Sequence, residues 1–178
     1  TMRGAGEAKT IFDFTTQDVG GNGILITADG TLIEELQIVN PPGDGIRANE
    51  VEGITFRKIT VIWDNDADTN NGAYGLYPVG SSKVVVDACT VKGASDAGIY
   101  VGQSTQILVK DSEAYGNVAG IEIENSTDAE VVRNHAHNNT GGILVFNLPE
   151  LPVKAGERTK VHDNLIENNN LVNFGKPG

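Results

Sequence analysis

Three of the four tyrosines in this chain share one spacing pattern. Tyr77 and Tyr100 each stand two positions after a glycine that is followed by Leu or Ile, as do Arg47 and Glu122. Glu124 lies two residues further on, while Tyr74 and Asp96 stand just before their glycines. Tyrosine rings stack on sugar rings, and arginine and carboxylates hydrogen-bond hydroxyls or uronates. The pattern therefore gives a ligand-binding set of Arg47, Tyr74, Tyr77, Asp96, Tyr100, Glu122 and Glu124. Proton abstraction at C5 of a uronic acid, for elimination or epimerisation, needs a base and a cation for the sugar carboxylate. Tyr74 is the candidate base and Arg47 the candidate cation. A tyrosine with an ordinary pKa of about 10 needs a neighbouring positive charge for that task. The plainer reading is an exposed sheet with mixed side chains.

Two other groupings suit metals. Asp64, Asp66 and Asp68 alternate as in the first half of a calcium loop. Thr69 stands where an EF-hand needs glycine and Gly75 where it needs glutamate, so an EF-hand is excluded. A looser Ca²⁺ site and a solvated acidic loop are the two remaining readings. His135 and His137 alternate, which puts both imidazoles on one side of a strand. Glu113, Tyr115 and Glu167 occupy neighbouring repeat positions. Two imidazoles and a carboxylate ligate Zn²⁺ or Cu²⁺. His-x-His on a surface strand is also a common accident, and His162 is given no part.

Composition narrows the partners. Thirteen basic against 24 acidic residues leave a formal charge of -11. That argues against nucleic acid, whose phosphates need clustered cations, and against an anionic membrane surface. No apolar run approaches the ~20 residues of a membrane span. A single cysteine, Cys89, excludes an internal disulfide and falls at a position expected to be buried. The opening Thr1-Met2-Arg3-Gly4 carries no apolar signal-peptide segment.

The elements that must place these residues are read from a repeat. A regular series of Gly followed by Ile or Leu runs through 23, 45, 75, 98, 120 and 142, at intervals of 22, 30, 23, 22 and 22, with Gly53-Ile54 outside it. Between anchors, apolar or small residues recur at offsets 0, 2, 5 and 7, as in Val84/Val86/Cys89/Val91. Steps of two are strand alternation, and the step of three is a bend between two short strands. A third strand opens at each glycine. Three strands in about 22 residues, repeated, describe one coil of an all-β, right-handed parallel β-helix. A leucine-rich repeat lacks its leucine framework here, and a sandwich would not hold the spacing.

Stacked coils, about 4.8 Å apart, convert the alignment into columns. Ile24, Ile46, Leu76, Ile99, Ile121 and Ile143 should form one buried column. Asn117, Asn139 and Asn169 should form an asparagine ladder, and Asn134 with Asn164 another. Glu35, Lys58, Ala88, Asp111, Arg133 and Asp163 should form an exposed column with an Asp–Arg–Asp charge ladder. Segments 64–72 and 148–158 are insertions, placed to wall the tyrosine row, and Trp63 anchors the first.

The segments "NGAYGLYPV" (71–79), "GASDAGIYVGQS" (93–104), "NVAGIEIENST" (117–127) and "NNTGGILVFNLPELPV" (138–153) resemble the pectate-lyase-like superfamily, and within it a family of bacterial secreted β-helix proteins. The resemblance covers essentially the whole chain and implies an extracytoplasmic location. The two ends, "TMRGAGEAKTIFDF" and "NFGKPG", resemble internal coils, so residues 1–178 read as one domain within a longer solenoid. A more distant resemblance is to mannuronan C5-epimerases, whose Tyr-Gly-Phe-Asp-Pro-His motif aligns with Tyr74-Gly75-Leu76-Tyr77-Pro78-Val79. Tyr77 stands in place of the catalytic aspartate and Val79 in place of the histidine, so two of three catalytic groups are missing.

The reading that follows is an extracytoplasmic, carbohydrate-associated module that binds a polysaccharide along one sheet. A uronan-active enzyme, epimerase or lyase, is the second reading. A structural solenoid, self-associating end to end or scaffolding partners, is the third.

Overall fold

The computed structural model describes residues 1–176, so Pro177 and Gly178, the end of the "NFGKPG" stretch, lie outside the described residues. The described chain forms eighteen strands and no helix. They begin with β1 (Met2–Arg3), β2 (Ile11–Asp13), β3 (Ile24–Ile26), β4 (Thr31–Val39), β5 (Ile46–Asn49) and β6 (Glu52–Ile62). The middle coils hold β7 (Tyr74–Val79), β8 (Ser82–Asp87), β9 (Thr90–Lys92), β10 (Ala97–Gly102), β11 (Thr105–Lys110) and β12 (Glu113–Tyr115). The last are β13 (Ala119–Glu124), β14 (Thr127–Val132), β15 (His135–His137), β16 (Gly141–Phe146), β17 (Lys160–His162) and β18 (Leu165–Glu167).

Every strand pairs in parallel with its counterpart one coil away, as the repeat predicts. The anchor strands β3, β5, β7, β10, β13 and β16 make one six-stranded face. The other two faces form a single twelve-stranded sheet, because β4 and β6 run unbroken around the corner between them. The start of β6 pairs with β8 and its end with β9. The corner residues are Glu35, Lys58, Ala88, Asp111, Arg133 and Asp163, all left-handed with φ between 50° and 59°. None is glycine, so each left-handed turn costs about 1 kcal/mol or more, which the paired coils on either side offset. The expected charge ladder forms only in part. Arg133 donates two hydrogen bonds to Asp111, at 2.7 and 2.9 Å, while Asp163 contacts His162 instead. Exposed pairs of this kind add little to stability.

The repeated glycine has a spatial cause. None of the six anchors has a positive φ. A Cβ at Gly45 would lie 2.5 Å from the Gly75 carbonyl oxygen. One at Gly75 would lie 2.6 Å from the Gly98 oxygen, and one at Gly120 would lie 2.6 Å from the Gly142 oxygen. The coils pass too closely at this corner for any side chain.

The interior is apolar and ordered in columns. Ile46, Leu76, Ile99 and Ile121 are fully buried, and the outermost members, Ile24 and Ile143, are partly open. Burial of each such side chain contributes about 2 kcal/mol. Cys89 is buried, as expected, and burial pushes its thiol up to about 12. Trp63 is buried and donates to the Pro41 carbonyl at 2.8 Å, anchoring the start of the first insertion.

The asparagine ladder forms as a row of aligned amides. Asn117 Nδ2 donates to Asn139 Oδ1 at 3.0 Å, and Asn139 Nδ2 donates to Asn169 Oδ1 at 2.9 Å. Asn134 Nδ2 donates to Asn164 Oδ1 at 3.0 Å in the second ladder. A serine ladder was not anticipated. Ser104 Oγ accepts from the Ser81 backbone N–H, and Ser126 Oγ accepts from that of Ser104, both at 3.0 Å. Its signal was three serines at one repeat position.

After β18 the described C-terminal stretch leaves the strand path. Leu171 N–H donates to the Asn139 carbonyl, and Gly175 packs against Ser95 and Val118. The described end therefore runs back along the solenoid toward earlier coils.

Candidate functional site

The outer side of the anchor face gathers the tyrosines from two rows. Register puts Leu25, Arg47, Tyr77, Tyr100, Glu122 and Leu144 in one row across β3, β5, β7, β10, β13 and β16. Tyr74 shares its row with Ala97, Ala119 and Gly141, whose small side chains leave room for its ring. The ring centroids of Tyr74, Tyr77 and Tyr100 lie 4.5, 4.7 and 5.0 Å apart. The Arg47 guanidinium sits over the Tyr77 ring, 4.8 Å from its centroid, in cation–π range.

Tyr100 points outward as alternation predicts, yet it is 4 % exposed. Its neighbour two residues on accounts for this burial. A Cβ at Gly102 would collide with the Tyr100 ring, so the missing side chain lets that ring fold down along the strand. Its hydroxyl then donates to Glu124, a carboxylate that is itself buried. Tyr74 and Tyr77 remain half-buried, and they carry the accessible part of the triad.

Carboxyl groups surround these rings. Asp44 was missed in the sequence, though it stands before Gly45 as Tyr74 stands before Gly75. Burial pushes the Asp44 carboxyl up to about 6, against the pull of Arg47 and of the Tyr74 backbone N–H. Burial, with Asp96 and Glu124 nearby, pushes Glu122 up to about 7. Burial and the Asp96 carboxylate hold the Tyr74 hydroxyl well above its ordinary range. This environment weighs against Tyr74 as a base. The cation it would need lies against Tyr77, and its own neighbours are an acid and two phenols. In its protonated form the Tyr74 hydroxyl is a hydrogen-bond donor. Arg47 likewise sits at one end of the row with Asn49, where its Nη2 donates at 3.3 Å, and not opposite Tyr74.

Glu122 yields a prediction on stability. Its folded value of about 7 lies above the ordinary 4.5, so the folded chain binds a proton that the unfolded chain releases between these values. Stability therefore falls as pH rises through that window. Glu122→Gln should stabilise the protein by about 2 kcal/mol near pH 8 and change little near pH 5. Urea unfolding at both pH values checks this; equal effects at the two would remove the buried carboxyl from the account.

The three aspartates of the first insertion do not converge. Asp66 pairs with Lys92 at 2.7 Å, Asp64 accepts from Asn40, and Asp68 accepts from Asn70. Of the two readings of Asp64, Asp66 and Asp68, this arrangement favours the solvated acidic loop over a Ca²⁺ site, since each carboxylate is turned to a different partner. The insertion also protrudes less than expected. Asn71 is buried and donates to Gly93 and Asp66 carbonyls, so the loop's end is built into the coil at the corner before Tyr74. The second insertion is fastened at the opposite corner by Asn125, which donates to the carbonyls of Leu148 and Val153.

A separate trough of about 760 Å³ lies on another face, over Val85, Leu108 and Glu130 with Lys83, Arg158 and Lys160 at its rim. It is lined mainly by aliphatic side chains and exposed ion pairs, and its one shifted acid, Asp128, is held below the ordinary carboxylate range by its pairing with Arg158.

On the third face the structure brings His135 and His137 together with Glu113. His137 Nε2 lies 3.1 Å from Glu113 Oε1, and His135 Nδ1 lies 3.9 Å from it.

A family model described as the right handed beta helix region matches residues 2–153. No curated protein matches the chain.

Proposed function

Because the chain belongs to the right-handed β-helix family, we propose that its tyrosine-bearing face binds a polysaccharide of neutral sugars lying across the coils. One observation carries this reading: three packed tyrosine rings beside four carboxyls and one guanidinium on a single face. Phenol rings and hydroxyls suit the faces and edges of sugars. Asp44, Asp96, Glu122 and Glu124 outnumber Arg47, so a uronate would meet net repulsion, whereas neutral hydroxyls donate to carboxylates readily. The same balance weighs against the epimerase or lyase reading, as does the proton held on Tyr74. The rows climb one coil at a time, about 4.8 Å per step, close to the scale of an extended sugar chain. Export to an extracytoplasmic compartment fits this reading, since polysaccharides lie there.

A glycan array with neutral and uronate polysaccharides tests the proposal. The parent should hold neutral chains, and Tyr77→Ala should weaken that binding about tenfold, the loss of roughly 1.4 kcal/mol of stacking. Tyr77 is the better probe, because Tyr100 is packed and its loss would disturb the fold. Preference for uronates, or binding by Tyr77→Ala equal to the parent, would sink the proposal.

A second reading, hydrolysis of the same glycan, is favoured by Glu122, whose value of about 7 suits a general acid near neutral pH. Release of reducing ends by the parent and its loss in Glu122→Gln would support it. Binding without product leaves the face a binding surface.

A further inference from the structure

We propose that Glu113, His135 and His137 form a binding site for a Zn²⁺-like transition-metal ion on the third face of the solenoid. The three residues come from adjacent strands, β12 and β15, at outward positions paired in register. One carboxylate oxygen and two imidazole nitrogens lie within 4.8 Å of one another. Two of those separations are 3.1 and 3.9 Å. They bracket the ~3.4 Å edge of a tetrahedron with metal–ligand distances near 2.1 Å.

The far side of each imidazole is already oriented. His135 Nε2 lies 3.1 Å from Glu167 Oε1, so its proton goes to that carboxylate and the Nδ1 lone pair faces the trio. A carboxylate behind a ligating histidine is the usual support of a metal site. His137 Nδ1 lies 3.0 Å from the Asn138 amide. The Asn138 Nδ2 donates to that nitrogen, so His137 Nε2 carries the proton toward Glu113, and a metal ion binding there would displace that proton to solvent. Tyr115 stacks on the His137 ring at 5.1 Å and 5°, which fixes its plane. The nearest lysine in register, Lys92 beside Tyr115, is paired with Asp66.

Nitrogen donors favour Zn²⁺ over Ca²⁺ or Mg²⁺, which prefer all-oxygen shells. Three protein ligands leave a fourth position open for water or an exchangeable group. This site lies away from the tyrosine face and stands or falls independently of the glycan reading.

Calorimetric titration of the intact chain with ZnCl₂ alone tests it, with CaCl₂ and MgCl₂ as comparators. One Zn²⁺ per chain is expected, with a rise in melting temperature on binding. His137→Ala and the near-isosteric Glu113→Gln should each weaken binding at least tenfold. Glu167→Gln, which removes only the support behind His135, should weaken it by about tenfold while leaving one ion per chain. His162→Ala should bind like the parent, because His162 is held by Glu130 and Asp163 outside the trio. Lack of Zn²⁺ uptake by the parent, or equal uptake by Glu113→Gln and His137→Ala, would overturn the site. So would loss of binding in His162→Ala.

Discussion

Asn139→Ala should destabilise the protein by roughly 3–5 kcal/mol, well beyond a single lost hydrogen bond. The Asn139 side chain sits at the middle of the ladder and is fully buried. Its Oδ1 accepts from the backbone N–H and from the Nδ2 of Asn117, both at 3.0 Å. Its Nδ2 donates to the Ala114 carbonyl and to Asn169 Oδ1, both at 2.9 Å. Truncation leaves the Asn117 N–H and the Ala114 carbonyl unpaired in an apolar interior, and opens a cavity besides. Asn139→Asp separates these contributions, because it keeps the acceptor toward Asn117 and loses the donor. Chemical unfolding should rank the parent above both variants. A cost for alanine below 1 kcal/mol would mean that water replaces the amide.

Gly75→Ala should cost about 3 kcal/mol or more, although it adds one methyl group. The new Cβ would press on Val91 and on the Gly98 carbonyl oxygen at 2.6 Å. Relief requires the two coils to part at the corner where Tyr74 begins its strand, so the tyrosine triad should loosen as well. Gly21→Ala is the matched comparison. It has no heavy atom within 4 Å of its would-be Cβ and no positive φ, and should unfold within about 0.5 kcal/mol of the parent. Similar losses in both variants would tie the effect to glycine content rather than to coil spacing.

The fold was legible because the coil repeats. Six glycine anchors, the inward isoleucines and the paired asparagines mark the same positions in successive coils, and each repetition tests the last. The step of three between strands located every corner, but the left-handed conformation there was not visible. Lys58, Ala88, Asp111 and Arg133 adopt it without the Gly or Asn that would announce it, since pairing on both sides enforces the turn. Alternation also set which side chains face outward at the site, and it located the row from Arg47 to Glu122. It could not show how far a ring leans. Tyr100 is buried through the absence of a side chain at Gly102, an effect of one strand neighbour on another that period-two patterns do not contain. The aspartates of 64–68 do not converge for a related reason. Their spacing was read correctly, while two of their three partners, Asn40 and Lys92, lie in other coils.

The site takes two side chains from each of four successive coils: Asp44 and Arg47, Tyr74 and Tyr77, Asp96 and Tyr100, then Glu122 and Glu124. In a solenoid each coil leans only on its neighbours, so partial opening starts at the ends and works inward. A chain bound across all four coils would lose contacts whenever an interior seam opened, and would therefore act as a clasp on the middle of the stack. Amide hydrogen exchange in β7, β10 and β13 should then slow in the bound protein, while exchange in β1, β2, β17 and β18 proceeds at its former rate.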